Sequence, residues 1–509
     1  MTLLTEIERS KHLMKTWRKI TSAAMSLLLL LSLTACGAKP EEPSGSDVSG
    51  VETRPGETTS ASESSAPSET EPGADATDPV EPGKTTSGNT ASTTTGNSTT
   101  KPTSGGVVGD NLETKYKNLK GRKITVVGWW DPTPSGTEDY KLILEVEKKF
   151  NCDLVERKLT DYAPLYSSIL AGAPIADLFV PRDVPILNMA NKNMLIALDT
   201  LPSMDVNDPL WNKAVTAEST LDGHVYGVTQ SVARRSMLAY NKTMFEKNNW
   251  PDLYTLSTQG KLTWDTLYDI MGKAAQVDAG GNVTRYGLIP KYDFGNLGSF
   301  LLNMNGVKVV TRQGTGKTLS YTLNGNKATN ALNTLQEWNS KKGAMYDVLG
   351  KSWDSTITTF TSGKGAMLIV DENSMSQLSS VDFKVGLTMF PHGPDASKDV
   401  AFLEPSATVI PAGVSNPDDV ALFWTVYNAY KAQNKKQNIF DSLDDPSVKA
   451  TYAAAEKAMN SGNYIYDYAE AVGLDEEVYR NVAAGSTTPA AAIQSIQNQA
   501  KGKIADFWK

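Results

Sequence analysis

Lys123-Ile-Thr-Val-Val-Gly-Trp-Trp-Asp131, followed by Tyr140-Lys-Leu-Ile-Leu-Glu-Val-Glu-Lys-Lys-Phe150, decides the fold class. The first piece is a short β-branched run that stops at Gly128, which is the composition of a strand. The second spaces its apolar residues at helical intervals with charges between them. Cys152-Asp-Leu-Val-Glu156 repeats the strand signal, Tyr162 to Leu170 the helix, and Ala176-Asp-Leu-Phe-Val180 the strand. Strand, helix, strand, helix, strand in this order predicts an α/β domain on a mostly parallel sheet. Such sheets bind ligands beyond the carboxyl ends of their strands. The residues directly after each strand are therefore the first candidates for a site.

Toward the amino terminus the composition changes. From about Ala38 to about Asn111 the chain is Ser, Thr, Pro, Gly and Glu, as in Ser60-Ala-Ser-Glu-Ser-Ser65 and Thr90-Ala-Ser-Thr-Thr-Thr-Gly96. A segment with so little apolar surface cannot offset its ordering entropy, and it reads as a disordered tether or a glycosylated stalk. Ahead of it, Lys11, Lys15, Arg18 and Lys19 precede an apolar run from Ala23 to Leu31, which ends in Leu33-Thr-Ala-Cys36. The run is far short of the roughly 20 residues that span a bilayer. A charged region, a short apolar region and small residues before the cut describe a signal peptide, here residues 1–35. Met14-Lys15 is the expected start of that signal. The Leu-Thr-Ala-Cys ending resembles the lipobox of bacterial lipoproteins. That resemblance implies that Cys36 becomes the first mature residue and carries lipid. Composition then places the tether at 36–115 and opens the folded part near Leu119. Two acyl chains suffice for stable anchoring, whereas one is marginal.

Composition excludes several classes. The 509 residues allow two or three domains, and 40% hydrophobic with 21% charged residues is ordinary for a soluble globular protein. A net charge of -8 argues against nucleic acid as a partner, because phosphate binding needs a basic face. The 2 cysteines, Cys36 and Cys152, sit in unlike surroundings and are not read as a pair; the 3 histidines, His12, His224 and His392, are scattered. No metal site and no cofactor is expected. Gly314-Thr-Gly-Lys-Thr318 suggests a phosphate-binding loop, but Thr311 stands where that motif needs glycine, and the setting is a Gly-rich turn. No nucleophile elbow and no H-E-x-x-H helix is present.

Further along stand Leu195-Ile-Ala-Leu-Asp199, Asp222-Gly-His-Val-Tyr-Gly-Val228 and Leu238-Ala-Tyr-Asn-Lys242 with Met244-Phe245. Leu262-Thr-Trp-Asp-Thr-Leu267, Phe360-Thr-Ser-Gly-Lys-Gly-Ala-Met367 and Pro405-Ser-Ala-Thr-Val-Ile-Pro-Ala412 follow in order. From about Lys120 to Lys509 the chain resembles the extracellular solute-binding proteins of carbohydrate-type ABC importers, the class that includes the maltose-binding proteins. The resemblance implies two interleaved α/β lobes, periplasmic-binding-protein-like, with a hinge and a ligand cleft. Lobe one is expected at 116–233 and 403–440, lobe two at 234–402 and 441–509. The expected function is capture of a small solute, a sugar or oligosaccharide, by a monomer anchored through Cys36 at the extracytoplasmic face of the cell membrane. ABC permease subunits are the expected partners, and no catalysis is expected.

Each candidate ligand residue has a bland counterpart. Trp129, Trp130 and Asp131 follow the first strand; an indole stacks on the C–H face of a pyranose and a carboxylate accepts from hydroxyls. The alternative is that a Trp packs in the core. Arg182 and Asp183 follow the third strand, where the family commonly contacts ligand; the alternative is a solvated ion pair. Arg234 lies where the chain crosses between lobes and either reaches ligand or pins the hinge. Asp371 and Glu372 follow Ala366-Met-Leu-Ile-Val370, where relatives often carry a Trp; Asp371 is alternatively a helix cap. Tyr292, Trp353 and Glu404 are further candidates, and Trp264 is assigned to structure. Two rival readings stay open at this point. A tethered glycan hydrolase would release products from glycans, and a sensory or adhesive lipoprotein of the same fold would lack neighbouring permease genes.

Overall fold

β1 (Arg122–Gly128) buries Ile124, Val126 and Val127 at the centre of a three-stranded parallel sheet with the order β2-β1-β3. We describe it from a computed structural model that covers residues 111–182, 184–230, 236–403, 406–434, 443 and 445–509, without the side chains of 372 and 373. The signal peptide, Cys36 and nearly all of the tether lie outside the described residues. The last tether positions do not: Asn111 caps a 3-10 turn over Leu112–Thr114, and Leu112 is buried in the lobe-one core. The packed chain thus begins before Leu119.

Lobe one follows the expected alternation. α1 (Glu138–Phe150) starts on Thr137, whose hydroxyl accepts from the Tyr140 N–H, and it stops at Asn151, which takes the left-handed conformation. Its buried face of Ile143, Val146 and Phe150 meets the later helix Pro417–Asn434, where Phe150 and Phe423 pack edge to face at 5.4 Å. β2 (Cys152–Lys158) and β3 (Leu178–Phe179) flank β1, with α2 (Ala163–Leu170) between them. The Asp177 carboxylate fixes that arrangement. It takes the Arg122 guanidinium at 2.7 Å and the Thr125 N–H at 2.9 Å. α3 (Ile186–Asn191), α4 (Lys213–Glu218) and the hairpin of β4 (Thr220–Leu221) with β5 (His224–Val225) complete the first pass.

Lobe two is built on a five-stranded mixed sheet in the order β12-β6-β11-β8-β7. β6 (Met237–Asn241) leads to α5 (Lys242–Lys247), α6 (Leu253–Thr258), α7 (Trp264–Ala274), β7 (Gln276–Val277) and β8 (Val283–Ile289). Next come α8 (Phe294–Met304), the hairpin β9 (Val310–Arg312) with β10 (Leu319–Tyr321), α9 (Gly325–Ser340) and α10 (Trp353–Thr359). β11 (Gly365–Val370), α11 (Glu372–Leu378) and β12 (Val385–Met389) close the sheet. β6, β11 and β12 are buried along their whole length, as helices on both faces require. Gly386 is needed there, since a Cβ would lie 2.1 Å from the Tyr240 ring. Trp264 is buried behind its Thr263 cap and donates to the Pro391 carbonyl at 3.0 Å, a structural role. The Gly314–Thr318 stretch is the turn of the β9–β10 hairpin.

The lobes interleave. The chain passes into lobe two between Val228 and β6, returns through β13 (Ala401–Phe402), and pairs Thr408 with Val228 and Val409 with Phe179. α12 (Pro417–Asn434) packs on lobe one. α13 (Pro446–Asn460) lies against β12, where Ser447 Oγ accepts from the Leu387 N–H at 3.0 Å. β14 (Tyr464–Ile465) then pairs in parallel with β13. α14 (Glu477–Ala483) and α15 (Pro489–Asp506) cover lobe two. The tail is not confined to that lobe: the Phe507 and Trp508 carbonyls accept from Asn188 and Asn191 of α3. A second junction joins the lobes where Arg312 donates to the Thr220 carbonyl at 2.9 Å and Tyr468 donates to Glu218 at 2.7 Å.

Candidate functional site

The carboxyl ends of β1, β2 and β3 present Trp129, Trp130, Asp131, Lys158 and Arg182 along one edge of lobe one. Trp129 and Trp130 are 39% and 40% exposed, and the other exposed large apolar side chains among the described residues are aliphatic. The two indoles pack edge to face, with centroids 5.3 Å apart and planes at 84°. Asp131 is exposed and pairs with the Lys158 ammonium at 3.0 Å. The turn behind it is held by Glu156, which accepts from the Thr133 N–H at 2.7 Å. Arg182 is exposed. Asp183 lies outside the described residues, as do Arg234 and Glu404.

On lobe two the carboxyl ends of β8 and β11 lie beside the amino end of β6, because β11 runs parallel to β8 and antiparallel to β6. Lys291 and Tyr292 follow β8, and Asp371 follows β11. Asp371 is only 2% exposed, caps α11 by accepting from the Ser374 N–H at 3.1 Å, and takes the Ser374 hydroxyl at 2.7 Å. Its second oxygen pairs with the Lys291 ammonium, and that ammonium stands 4.9 Å from the centre of the half-buried Trp353 ring. Tyr292 packs on Phe300 with centroids 5.9 Å apart.

Both edges lie where the crossing segments leave the sheets. Ser236, directly before β6, takes the Phe390 N–H on its carbonyl at 2.7 Å and the Phe402 N–H on its hydroxyl at 3.3 Å, so two crossings run side by side. The model of the family described as "Bacterial extracellular solute-binding protein" matches residues 160–434, more than half of the chain. The chain belongs to that family.

Solved structures repeat this solute-binding architecture at low sequence identity. The GacH receptor of Streptomyces glaucescens, solved unliganded and with acarbose, is 16% identical, with a TM-score of 0.58 over 76% of this chain and 99% of the receptor. An ABC substrate-binding protein of Listeria monocytogenes in complex with cycloalternan is 18% identical, with a TM-score of 0.55 over 75% and 99%. Maltose-bound MalE3 of T. maritima is 18% identical, with a TM-score of 0.53 over 75% and 100%. No curated protein sequence shows a significant match. The likeness establishes the two-lobed fold with its cleft. No described helix is long and apolar enough to cross a membrane.

The residues of this solute-binding protein divide by what they are free to do. The Trp pair offers ring faces to solvent. Asp371 does not offer its carboxylate, whose oxygens are engaged by Ser374 and Lys291, so the helix-cap role is the one it fills. Lys291 was not among the candidates, although a lysine one residue past the β8 run Gly287-Leu-Ile289, across Pro290, was a legible signal. Cys152 is buried in lobe one; burial, with Glu147 and Asp153 nearby, pushes its thiol up to about 12, which leaves it without thiolate chemistry. Among the described residues no three His, Cys, Asp or Glu side chains gather as a metal site would need.

Proposed function

We propose that this protein captures a sugar or oligosaccharide between its lobes, outside the cell membrane, and delivers it to an ABC permease. The observation that carries the ligand class is the half-exposed Trp129–Trp130 pair at the carboxyl end of β1. An exposed indole costs a folded protein solubility and is retained where an apolar face must be met; the C–H face of a pyranose is such a face. Asp131 and Arg182 supply polar partners for hydroxyls on the same edge, with Asp183 beside them in sequence. Lys291, Tyr292 and Trp353 supply them from lobe two, with Asp371 acting through Lys291, and Glu372, Arg234 and Glu404 stand next to these positions in the chain. Bringing the lobes together is favoured only by contacts that the solute makes with both. Support for the carbohydrate class also comes from the acarbose, cycloalternan and maltose in the structures named above.

Anchoring through lipid on Cys36, with residues up to about 110 as the tether, completes the reading. Its basis is the signal-like stretch ending in Leu33-Thr-Ala-Cys36. The proposal is tested by thermal unfolding against a panel of mono- and oligosaccharides. A solute at about 100 times its dissociation constant adds about 2.7 kcal/mol. A panel without a shift would overturn the carbohydrate class. Cys36→Ala is expected to release the protein from the membrane fraction, and continued membrane association would overturn the anchor.

A further inference from the structure

The Trp pair stands on a contact that the strand beneath it supplies. A Cβ at Gly128 would fall 2.3 Å from Cζ3 of Trp130, 2.4 Å from Cη2 and 2.5 Å from Cε3. The benzene half of that indole therefore fills the space where any side chain at 128 would stand. Carbon atoms pack at about 3.5–4.0 Å, so an added methyl must drive the ring away. The backbone does not explain the glycine. Gly128 is the last residue of β1, pairs with Lys158, and is not among the glycines of positive φ. The ring it seats is in turn the one on which Trp129 leans, at 5.3 Å.

We infer that Gly128 is a positioning residue for ligand binding: the side chain it lacks is the notch that seats the Trp130 indole and, through it, orients Trp129. The inference rests on the saccharide reading of this edge. Both rings are partly exposed, so a Trp130 ring displaced from the notch has open space to swing into another rotamer, and the edge-to-face pair is lost with it. A platform set in advance spares the solute the entropy of ordering two indoles.

The test uses the full chain with Gly128→Ala, Trp130→Ala and the double variant, and two readouts. The first is the exciton band of coupled indoles in circular dichroism, taken as the difference between the parent protein and Trp130→Ala. Gly128→Ala is expected to lose that band as completely as Trp130→Ala does. The second is calorimetric binding of maltotetraose, a xylo-oligosaccharide and maltose. For whichever binds, Gly128→Ala is expected to weaken affinity about tenfold, and the double variant is expected to be no weaker than Trp130→Ala alone. Retention of the band in Gly128→Ala, or losses that multiply in the double variant, overturn the inference. If none of the three sugars binds the parent protein, the saccharide reading has failed for them, and the exciton band alone decides the role of Gly128. If Gly128→Ala does not fold, removing the ring should restore folding in the double variant; a double variant that stays unfolded means the glycine serves the strand, and the inference falls.

Discussion

On lobe one the candidate ligand groups stand at the solvent edge: two partly exposed indoles edge to face, and a carboxylate paired with an exposed lysine. On lobe two the corresponding strand ends carry a buried ion pair, Lys291 with Asp371, closed off by Ser374 on one side and the Trp353 ring on the other. The first edge has its apolar surface ready and its polar groups hydrated. The second has its charges already desolvated and already satisfied by the protein. A solute meeting lobe one gains by covering exposed rings. A solute meeting lobe two must compete with, or accept bonds from, an ammonium that already has a partner. On the proposed function, lobe one is the edge that recruits, and lobe two the edge whose geometry is fixed in advance.

Substitution of Lys291 should break this contrast most strongly. Lys291→Ala leaves the Asp371 carboxylate buried without its counter-charge, and removing one partner of a buried pair costs about 3–5 kcal/mol. Urea unfolding should show that loss, whereas Lys291→Met with Asp371→Asn, which keeps the α11 cap and the Ser374 bond without the charges, should recover part of it. A loss under about 1 kcal/mol would mean that water reaches the pair, and the two edges would then be alike.

A second charge in lobe two sharpens the point through pH. Burial pushes the Glu476 carboxyl up to about 7, with Glu470, Asp293 and Asp467 adding repulsion, against the Ser299 hydroxyl that donates to it at 2.7 Å. A carboxyl raised in the folded state binds its proton more tightly there than when unfolded. Its contribution is thus fully present below the ordinary carboxyl range and is lost as pH rises through 7. Stability should fall between about pH 4.5 and pH 7 by ~3 kcal/mol from this group, and Glu476→Gln should flatten that fall. An unchanged profile in the variant would assign the slope to another group.

How much of this was legible in the sequence follows the range of each interaction. Strand and helix in lobe one rest on local periodicity, so β1, α1 and β2 could be read from residues 122–158 alone. The mixed order of the lobe-two sheet could not, because β6 and β12 become neighbours only through crossings set by tertiary packing. The site divides the same way. Two exposed indoles after a strand announce themselves by type and position, and the seat under Trp130 is written as a plain glycine. The Lys291–Asp371 pair joins segments far apart in the chain, and single residues carry no sign of their partner. The start of the packed region was misplaced because Leu112 is one apolar residue in a polar stretch, and one residue makes no pattern.

On lobe one the expected effects turn from stability to affinity. Trp129→Ala and Trp130→Ala should each weaken binding of the saccharide with the largest thermal shift by ~1–2 kcal/mol, read by titration calorimetry. Neither should move the unfolding midpoint by more than a degree or two, since neither ring is in the core. A large drop in stability with unchanged affinity would make the pair a packing feature and reverse the assignment of the two edges.

The smallest effect tests the premise that the lobe-one edge is loosely held. Lys158 reaches Asp131 at 3.0 Å with both side chains exposed, and exposed pairs of this kind contribute about 0.2–1 kcal/mol that salt screens. Lys158→Ala should therefore cost no more than about 0.5 kcal/mol in thermal unfolding at moderate ionic strength, and less in high salt. The turn keeps its other tether, Glu156 to the Thr133 N–H, so Asp131 stays near its place with its carboxylate released toward solvent. Sugar hydroxyls that bond to Asp131 would then bind as well as before or slightly better. A cost near that of Lys291→Ala would show that this edge too is built around a charge pair, and the contrast between recruiting and fixed edges would disappear.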